Sequence, residues 1–381
     1  MNNKDIIFNL IVSSFKSEIF QFNSDDESKL TQMIIENGLV GLVFNSLGPI
    51  TFKDSKYYLV LKKAFNEYLI KDVKQNYYMN HLTKLLNNAK IDHLFLKGAN
   101  LKKLYPKSYM RGMGDIDILV KKEDFEIAKS LLKENEYKFL SATSHHHVYE
   151  TLDHIYIELH QSIISVVDYE NSDFLSHVWS NVIGLENNLK KLKPEFEYIY
   201  LLTHLIRHIR TSGVGLRSLI DIYVYMNHYK DIFDCELLNS LLINNSLSDF
   251  SEKMIHINKI ILGKENSTSM DEEVIEYILR SGIHGTGKSH DKYITKSTFV
   301  TKRQKTNRIK YFLNEVFPSR LVLKENYSYL KKYPILLPYA WIERIFKQIF
   351  LKPKDTKDRL KAVKGNKLVN KVDEIYKYLG I

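Results

Sequence analysis

The chain has 381 residues, 44% of them hydrophobic and 26% charged, which excludes a collagen-like or wholly disordered polymer. Its one cysteine, Cys235, excludes an internal disulfide, a cysteine-rich zinc finger and a cysteine-ligated iron–sulfur cluster, and it suits a reducing cytoplasm. The net charge of +10 is unevenly spread: residues 281–381 hold 23 Lys and Arg against 8 Asp and Glu, so the basic character belongs to the C-terminal quarter and hints at a polyanionic partner.

The opening MNNKDIIFNLIVSSF carries Lys4 and Asp5 at once, is interrupted by Asn9 and Ser13, and lacks a small-residue cleavage site, so no signal peptide is expected. From Ile6 to about Leu86 apolar residues recur at spacings of three and four, which predicts an N-terminal helical lobe over 1–89. The character changes at IDHLFLKG (91–98), a short strand ending at Gly98, and a mixed α/β core is expected over 90–170. It contains a second strand in GDIDILV (114–120) and an amphipathic helix from Phe125 with Asp124 as its cap. YKFLSATSHHHVYE and HIYIELHQ then alternate as strands paired around Thr151 to Asp153. Residues 171–280 read as a helical domain, most clearly in EFEYIYLLTHLIRHIR (195–210) and LRSLIDIYVYMNHYK (216–230). The remainder, 281–381, reads as basic and mainly helical. Its most apolar stretch, 333–342, holds Pro334 and Pro338 and is too short to cross a bilayer. The expected class is α+β, with a small mixed sheet embedded between helical N- and C-terminal regions.

The strand period of two puts Asp115 and Asp117 on one face and sends Ile116 and Ile118 to the other. Carboxylates that close raise each other's pKa unless a cation sits between them, so the pair predicts a Mg²⁺ site built from oxygen ligands. Glu158, in IYIELH, supplies a third acid, and three convergent carboxylates can hold two metals for an in-line phosphoryl displacement. Lys97 beside Gly98 makes a phosphate ligand, the Gly admitting the backbone and the Lys supplying a compact charge. Lys97 and Arg111 are both expected to contact phosphate rather than to pair with Asp115 or Asp117.

FLKGANLKKLYPKSYMRGMGDIDILV, followed by SHHHVYE and IYIELH, resembles the uncharacterised nucleotidyltransferase family of the DNA polymerase β-like superfamily. The resemblance is strongest over 94–160 and continues in HLIRHIRTSGVGLRSLID (204–221), FPSR (317–320) and YPILLPYAWIERI (333–345). It implies Mg²⁺- or Mn²⁺-dependent transfer of a nucleoside monophosphate from an NTP such as ATP to an acceptor hydroxyl. Asp115, Asp117 and Glu158 would be the catalytic and metal-binding acids. Lys97, Gly98, Arg111, His204 and Arg217 would contact nucleotide or phosphate, with Gly98-Ala99 standing where the superfamily has a small-polar pair. The acceptor class stays open among protein, small molecule and RNA such as tRNA, the last through the basic C-terminal region. A non-catalytic nucleotide- or RNA-binding module of the same fold is the alternative.

Four further signals compete. GIHGTGKS (282–289) has P-loop spacing, but the helix-period segment DEEVIEYILRS stands where a P-loop needs a strand. His145 and His147 are expected to share a strand face and with His154 or His160 could form a nitrogen site, but no zinc spacing is present and polar histidines beside the cleft are the preferred reading, with His160 supporting Glu158. His204, Arg207 and His208 share a helix face, and Arg217 with Asp221 is equally readable as an intrahelical ion pair. WIERIFKQIFLK (341–352) is expected to pack its apolar side on its own domain rather than to lie on a membrane.

Overall fold

The computed structural model describes residues 1–48, 52–143, 145–163, 172–283, 313–314, 316–323, 327, 329–351 and 366–381. Its strands are β1 (His93–Phe95), β2 (Asp115–Val120), β3 (Lys138–Ala142), β4 (His146–Glu150), β5 (Tyr156–His160), β6 (Val182–Glu186) and β7 (Leu189–Leu192). They form one mixed sheet in the order β3-β4-β5-β2-β1-β7-β6, with β2–β5 and β1–β7 parallel and the other neighbours antiparallel. The α+β expectation is met, and the sheet is wider than expected. The β6–β7 hairpin falls where the sequence reads as helical, because its strands are short and β7 is lysine-rich, and it is β1 that recruits β7 through the pairing of His93 with Leu189.

The main helices are α1 (Asn3–Lys16), α2 (Glu27–Glu36), α3 (Ser55–Asn88), α4 (Phe125–Glu134), α5 (Pro194–Thr211) and α6 (Leu216–Tyr229). They continue with α7 (Cys235–Asn244), α8 (Ser248–Ile261), α9 (Ser269–Ser281), α10 (Leu337–Leu351) and α11 (Asn366–Tyr378). Ile116, Ile118, Val120, Ile157 and Leu159 carry one sheet face onto Met79, Leu82 and Leu86 of α3 and onto Phe125, Ala128 and Leu132 of α4. Leu94, Leu96, Leu119 and Leu192 carry the other face onto Phe196 and Tyr200 of α5. The remaining sides of α5 join α1, α2, α6, α8 and α9 in a larger apolar core. A helix buried on every side needs apolar residues all round, and α5 has them: Tyr198, Ile199, Leu202 and Ile209 are all fully buried.

Helix α3 spans both cores, with Leu61 and Phe65 in one and Leu82 and Leu86 in the other. Its middle turn holds the loop that leads into β2. Gln75 donates to the Met113 carbonyl at 3.0 Å, Lys71 to the Gly114 carbonyl at 2.9 Å, and Asp72 accepts from Ser108 at 2.7 Å while pairing with buried Lys102. On the far side of this loop, a Cβ added to Gly41 would stand 2.1 Å from the Tyr109 carbonyl oxygen. Backbone gives way less readily than a side chain, so Gly41→Ala is expected to cost about 1–3 kcal/mol, seen as a lower urea midpoint. An unchanged midpoint would show that the loop before Arg111 yields freely.

One local expectation is corrected: Asp124 makes no side-chain cap, since the 3₁₀ turn Lys122–Asp124 runs straight into α4. In α10, Ala340 and Trp341 pack with Leu323 and Leu330, as expected for Trp341, while Ile342 and Phe346, outside the expected apolar face, are 66% and 62% exposed. Among the described residues no helix is long and apolar enough to cross a membrane. Helix α9, not a strand, precedes Gly282; residues 284–289 of the P-loop-like run lie outside the described residues, as do the lysine-rich segments 301–310 and 352–365.

Candidate active site

The parallel register of β2 and β5 sets Asp117 opposite Glu158 and Asp115 opposite Tyr156. The alternation that buries Ile116, Ile118, Ile157 and Leu159 therefore turns Asp115, Asp117, Glu158 and His160 to the other side, where the apolar cover ends and a cleft of about 330 Å³ opens. Lys97 and Gly98 form its floor beside the acids, and α5 and α6 close it with His204, Arg207, His208 and Arg217. All eight expected site residues, Lys97, Gly98, Arg111, Asp115, Asp117, Glu158, His204 and Arg217, line this one cleft.

Lys97 ends β1 in the left-handed half of backbone space, with φ 47° and ψ −115°. A non-glycine residue there costs on the order of 1–3 kcal/mol and persists only where its surroundings fix it. The fixing comes from Asn100, which donates to the Phe95 carbonyl at 2.7 Å and to buried Glu197 at 3.0 Å. The turn aims the Lys97 ammonium at Asp117 Oδ1, 3.0 Å away. At Gly98 an added Cβ would stand 2.5 Å from Arg111 Nη1, so the missing side chain makes room for a guanidinium.

The three acids differ in charge balance. Asp117 accepts from Lys97 at 3.0 Å and from His160 Nε2 at 2.9 Å; burial opposes its ionisation, but these partners hold its pKa well below the usual carboxylate range. Glu158 lies 3.3 Å from His160 Nε2 and is also held down, against its burial. Burial pushes His160 down, and its bonds to Asp117 and Glu158 outweigh that and raise it. Asp115 has no ion pair among the described residues: burial first, then Asp117 and Glu158, push its pKa up to about 6. Negative charge on that side of the trio is left uncompensated, and the donor set is all oxygen. Asp115, Asp117 and Glu158 thus fit a hard divalent cation.

The basic wall is organised differently from expectation. Lys97 is ion-paired with Asp117, and Arg111 pairs with neither acid of β2 but grips Asp221 of α6, with Nη2 2.8 Å from Oδ2 and Nε 3.2 Å from Oδ1. Tyr105 donates to the same Asp221 at 2.8 Å. The Arg217–Asp221 pair within α6 is therefore pre-empted, and Arg217 instead donates to the Gly112 carbonyl at 2.8 Å, with its Nε buried and unbonded. The start of α6 is pinned by Asn37, whose side chain accepts from Leu216 N–H at 3.0 Å and donates to the Leu279 carbonyl at 3.1 Å. On α5, Arg207 donates to His204 Nδ1 at 2.9 Å, which places the His204 proton on Nε2, facing His208 Nε2 at 2.9 Å.

Histidine placement also departs from the sequence reading. The β4–β5 register sets His146 opposite His160, and the ring of His145 lies 4.5 Å from that of His146. His147 goes to the other face, against Phe125 and Phe139. His154 is exposed and bonds Glu150 at 2.8 Å, away from the cleft. His146 was legible in principle: a tight turn at 151–153 fixes which residue of β4 faces which residue of β5.

The family model described as an uncharacterised nucleotidyltransferase matches residues 23–263. The chain belongs to that family. No curated protein and no solved structure matches it. The matched span of this nucleotidyltransferase family covers the whole sheet and helices α2 to α8, and so includes every residue of the acid trio and both helices of the basic wall.

Proposed function

We propose that the chain catalyses metal-dependent transfer of a nucleoside monophosphate from an NTP to an acceptor hydroxyl, releasing pyrophosphate. The observation that carries this reading is the pairing of Asp117 with Glu158 across β2 and β5, with Asp115 on the same face of one basic-walled cleft. Asp115, Asp117 and Glu158 would hold Mg²⁺ or Mn²⁺. Bound there, the cation would neutralise phosphate charge and acidify the acceptor hydroxyl. Arg217, which lines the cleft and donates to the Gly112 carbonyl, would meet triphosphate oxygens, and Lys97 can exchange Asp117 for a phosphate once a cation shares that acid. The hydroxyl proton passes to a carboxylate of the trio, the new O–P bond forms at the α-phosphorus, and the bond to pyrophosphate breaks. Positioning and charge supply most of the rate.

The test is label transfer from each α-phosphate-labelled NTP, with Mg²⁺ or Mn²⁺, into a cell extract resolved before and after nuclease or protease. Wild type is expected to transfer label, and Asp117→Asn and Glu158→Gln are expected to lose it. Loss of the label to nuclease would identify RNA as acceptor, and loss to protease a protein. Nucleotide binding without transfer would favour the non-catalytic module, and transfer that survives Asp117→Asn but fails in Lys288→Ala would favour the P-loop-like run.

A further inference from the structure

The oxygen-only trio leaves His146 without a role, and His160, which bonds Asp117, also faces Glu158. Across the antiparallel pair β4–β5, His146 stands opposite His160, and their ring centroids are 5.0 Å apart. Both rings turn the same nitrogen to the same oxygen: His160 Nε2 is 3.3 Å and His146 Nε2 3.9 Å from Glu158 Oε2. One ligand atom from each of these residues falls within 4.8 Å of the others. His160 is 5% exposed, and its Nδ1 is buried with no hydrogen-bond partner, so only what Nε2 meets between Asp117 and Glu158 fixes that ring. An imidazole oriented by one nitrogen, aimed at a carboxylate that a second imidazole also faces, is built to share a guest with that carboxylate.

We infer that His146, Glu158 and His160 form a mixed nitrogen–oxygen site that takes a first-row transition cation, Mn²⁺, Co²⁺ or Zn²⁺, in preference to Mg²⁺. Imidazole nitrogen suits these cations, whereas Mg²⁺ keeps to oxygen ligands and water. Two histidines and one carboxylate on one side leave positions open on the other, the arrangement that admits a substrate oxygen. Asp115, which offers oxygen alone, stands outside this set, so the two ends of the acid row differ in the cation they select. The inference rests on reading Glu158 as a metal ligand, but it does not require that nucleotidyl transfer occur.

The test uses the tag-free full chain and Mn²⁺ alone, with no nucleotide. Pulsed electron paramagnetic resonance should show ¹⁴N couplings from directly bound imidazole, and these should survive a large excess of Mg²⁺. His146 is half-buried, so His146→Gln should fold and should weaken Mn²⁺ affinity about tenfold or more, the scale on which lost metal-site groups act. His160→Asn, checked by circular dichroism, should remove a second coupling. Mn²⁺ bound without ¹⁴N coupling, coupling unchanged in both variants, or displacement of Mn²⁺ by equimolar Mg²⁺ would each overturn the inference. Failure of the transferase reading looks different: ¹⁴N coupling would persist in a wild-type protein that transfers no label.

Discussion

Asp115→Asn is expected to abolish label transfer and, in metal-free buffer, to make the protein more stable than wild type. The loss of transfer should be about 10³-fold or more, since removing a metal ligand removes several kcal/mol of transition-state stabilisation. The gain in stability follows from charge. Burial, Asp117 and Glu158 raise the Asp115 pKa from 3.8 to about 6, so at neutral pH the folded state carries a carboxylate that it disfavours. Relieving that is expected to add about 1–3 kcal/mol at pH 7.

The sign with pH is definite. Between pH 4 and 6 the folded state binds more protons at Asp115 than the unfolded chain does, so this group makes wild-type stability fall as pH rises through that window. The melting-temperature gap between variant and wild type should therefore open from about pH 4 and be full by pH 7. Asp117 behaves oppositely: its depressed pKa gives stability that is present above the unfolded value and is lost as pH falls. Asp117→Asn, which strips charge from the partner of half-buried Lys97, should lower the melting temperature while abolishing the same transfer. Added Mg²⁺, which keeps to the oxygen ligands, should raise the wild type above Asp115→Asn, because a ligand that binds only the folded state stabilises it. Equal melting temperatures of wild type and Asp115→Asn across pH 4–8 would show that the acids of β2 do not repel one another.

The largest stability loss is expected at Asp221, outside the acid trio. It accepts from Arg111 Nε and Nη2 and from Tyr105, and Arg217 lies close enough to Arg111 for the two cations to oppose each other. Asp221→Asn leaves Arg111 buried without its counter-charge, which costs about 3–5 kcal/mol when one partner of such a pair is removed. The check is a double variant: Arg111→Met added to Asp221→Asn should recover most of the urea midpoint, because the uncompensated cation has gone. A single-variant loss no larger than that of an average surface change, about 0.5 kcal/mol, would mean that the pair is solvated. Activity separates the roles further. If Arg111 only braces the loop before β2, the recovered double variant should transfer label; if it also contacts phosphate, transfer should stay low at saturating metal.

What the sequence determines here is chemistry that depends on local period. Asp115 and Asp117 share a face because strands alternate, and Glu158 lies between buried Ile157 and Leu159 for the same reason, so the face of each acid was legible from spacing, while the meeting of Glu158 with Asp117 waits on the parallel register of β2 and β5. The unbroken apolar and polar pattern of 194–211 likewise marks α5, and Pro194 marks where it starts. Partners across the fold have no such local signal. That Asp221 serves Arg111 and not Arg217, four residues away on its own helix, depends on the loop held by Gln75 and Lys71 reaching α6 first. That Lys97 meets Asp117 depends on a left-handed turn which Asn100 and Glu197 enforce from another helix. The β6–β7 hairpin was hidden because short, exposed strands owe their form to the pairing of β7 with β1 and not to their own alternation. His146 shows the same division. Its alternation along β4 is local, but its place opposite His160 and over Glu158 exists only once the antiparallel register is set, since a one-residue slip would turn it to the other face of the sheet.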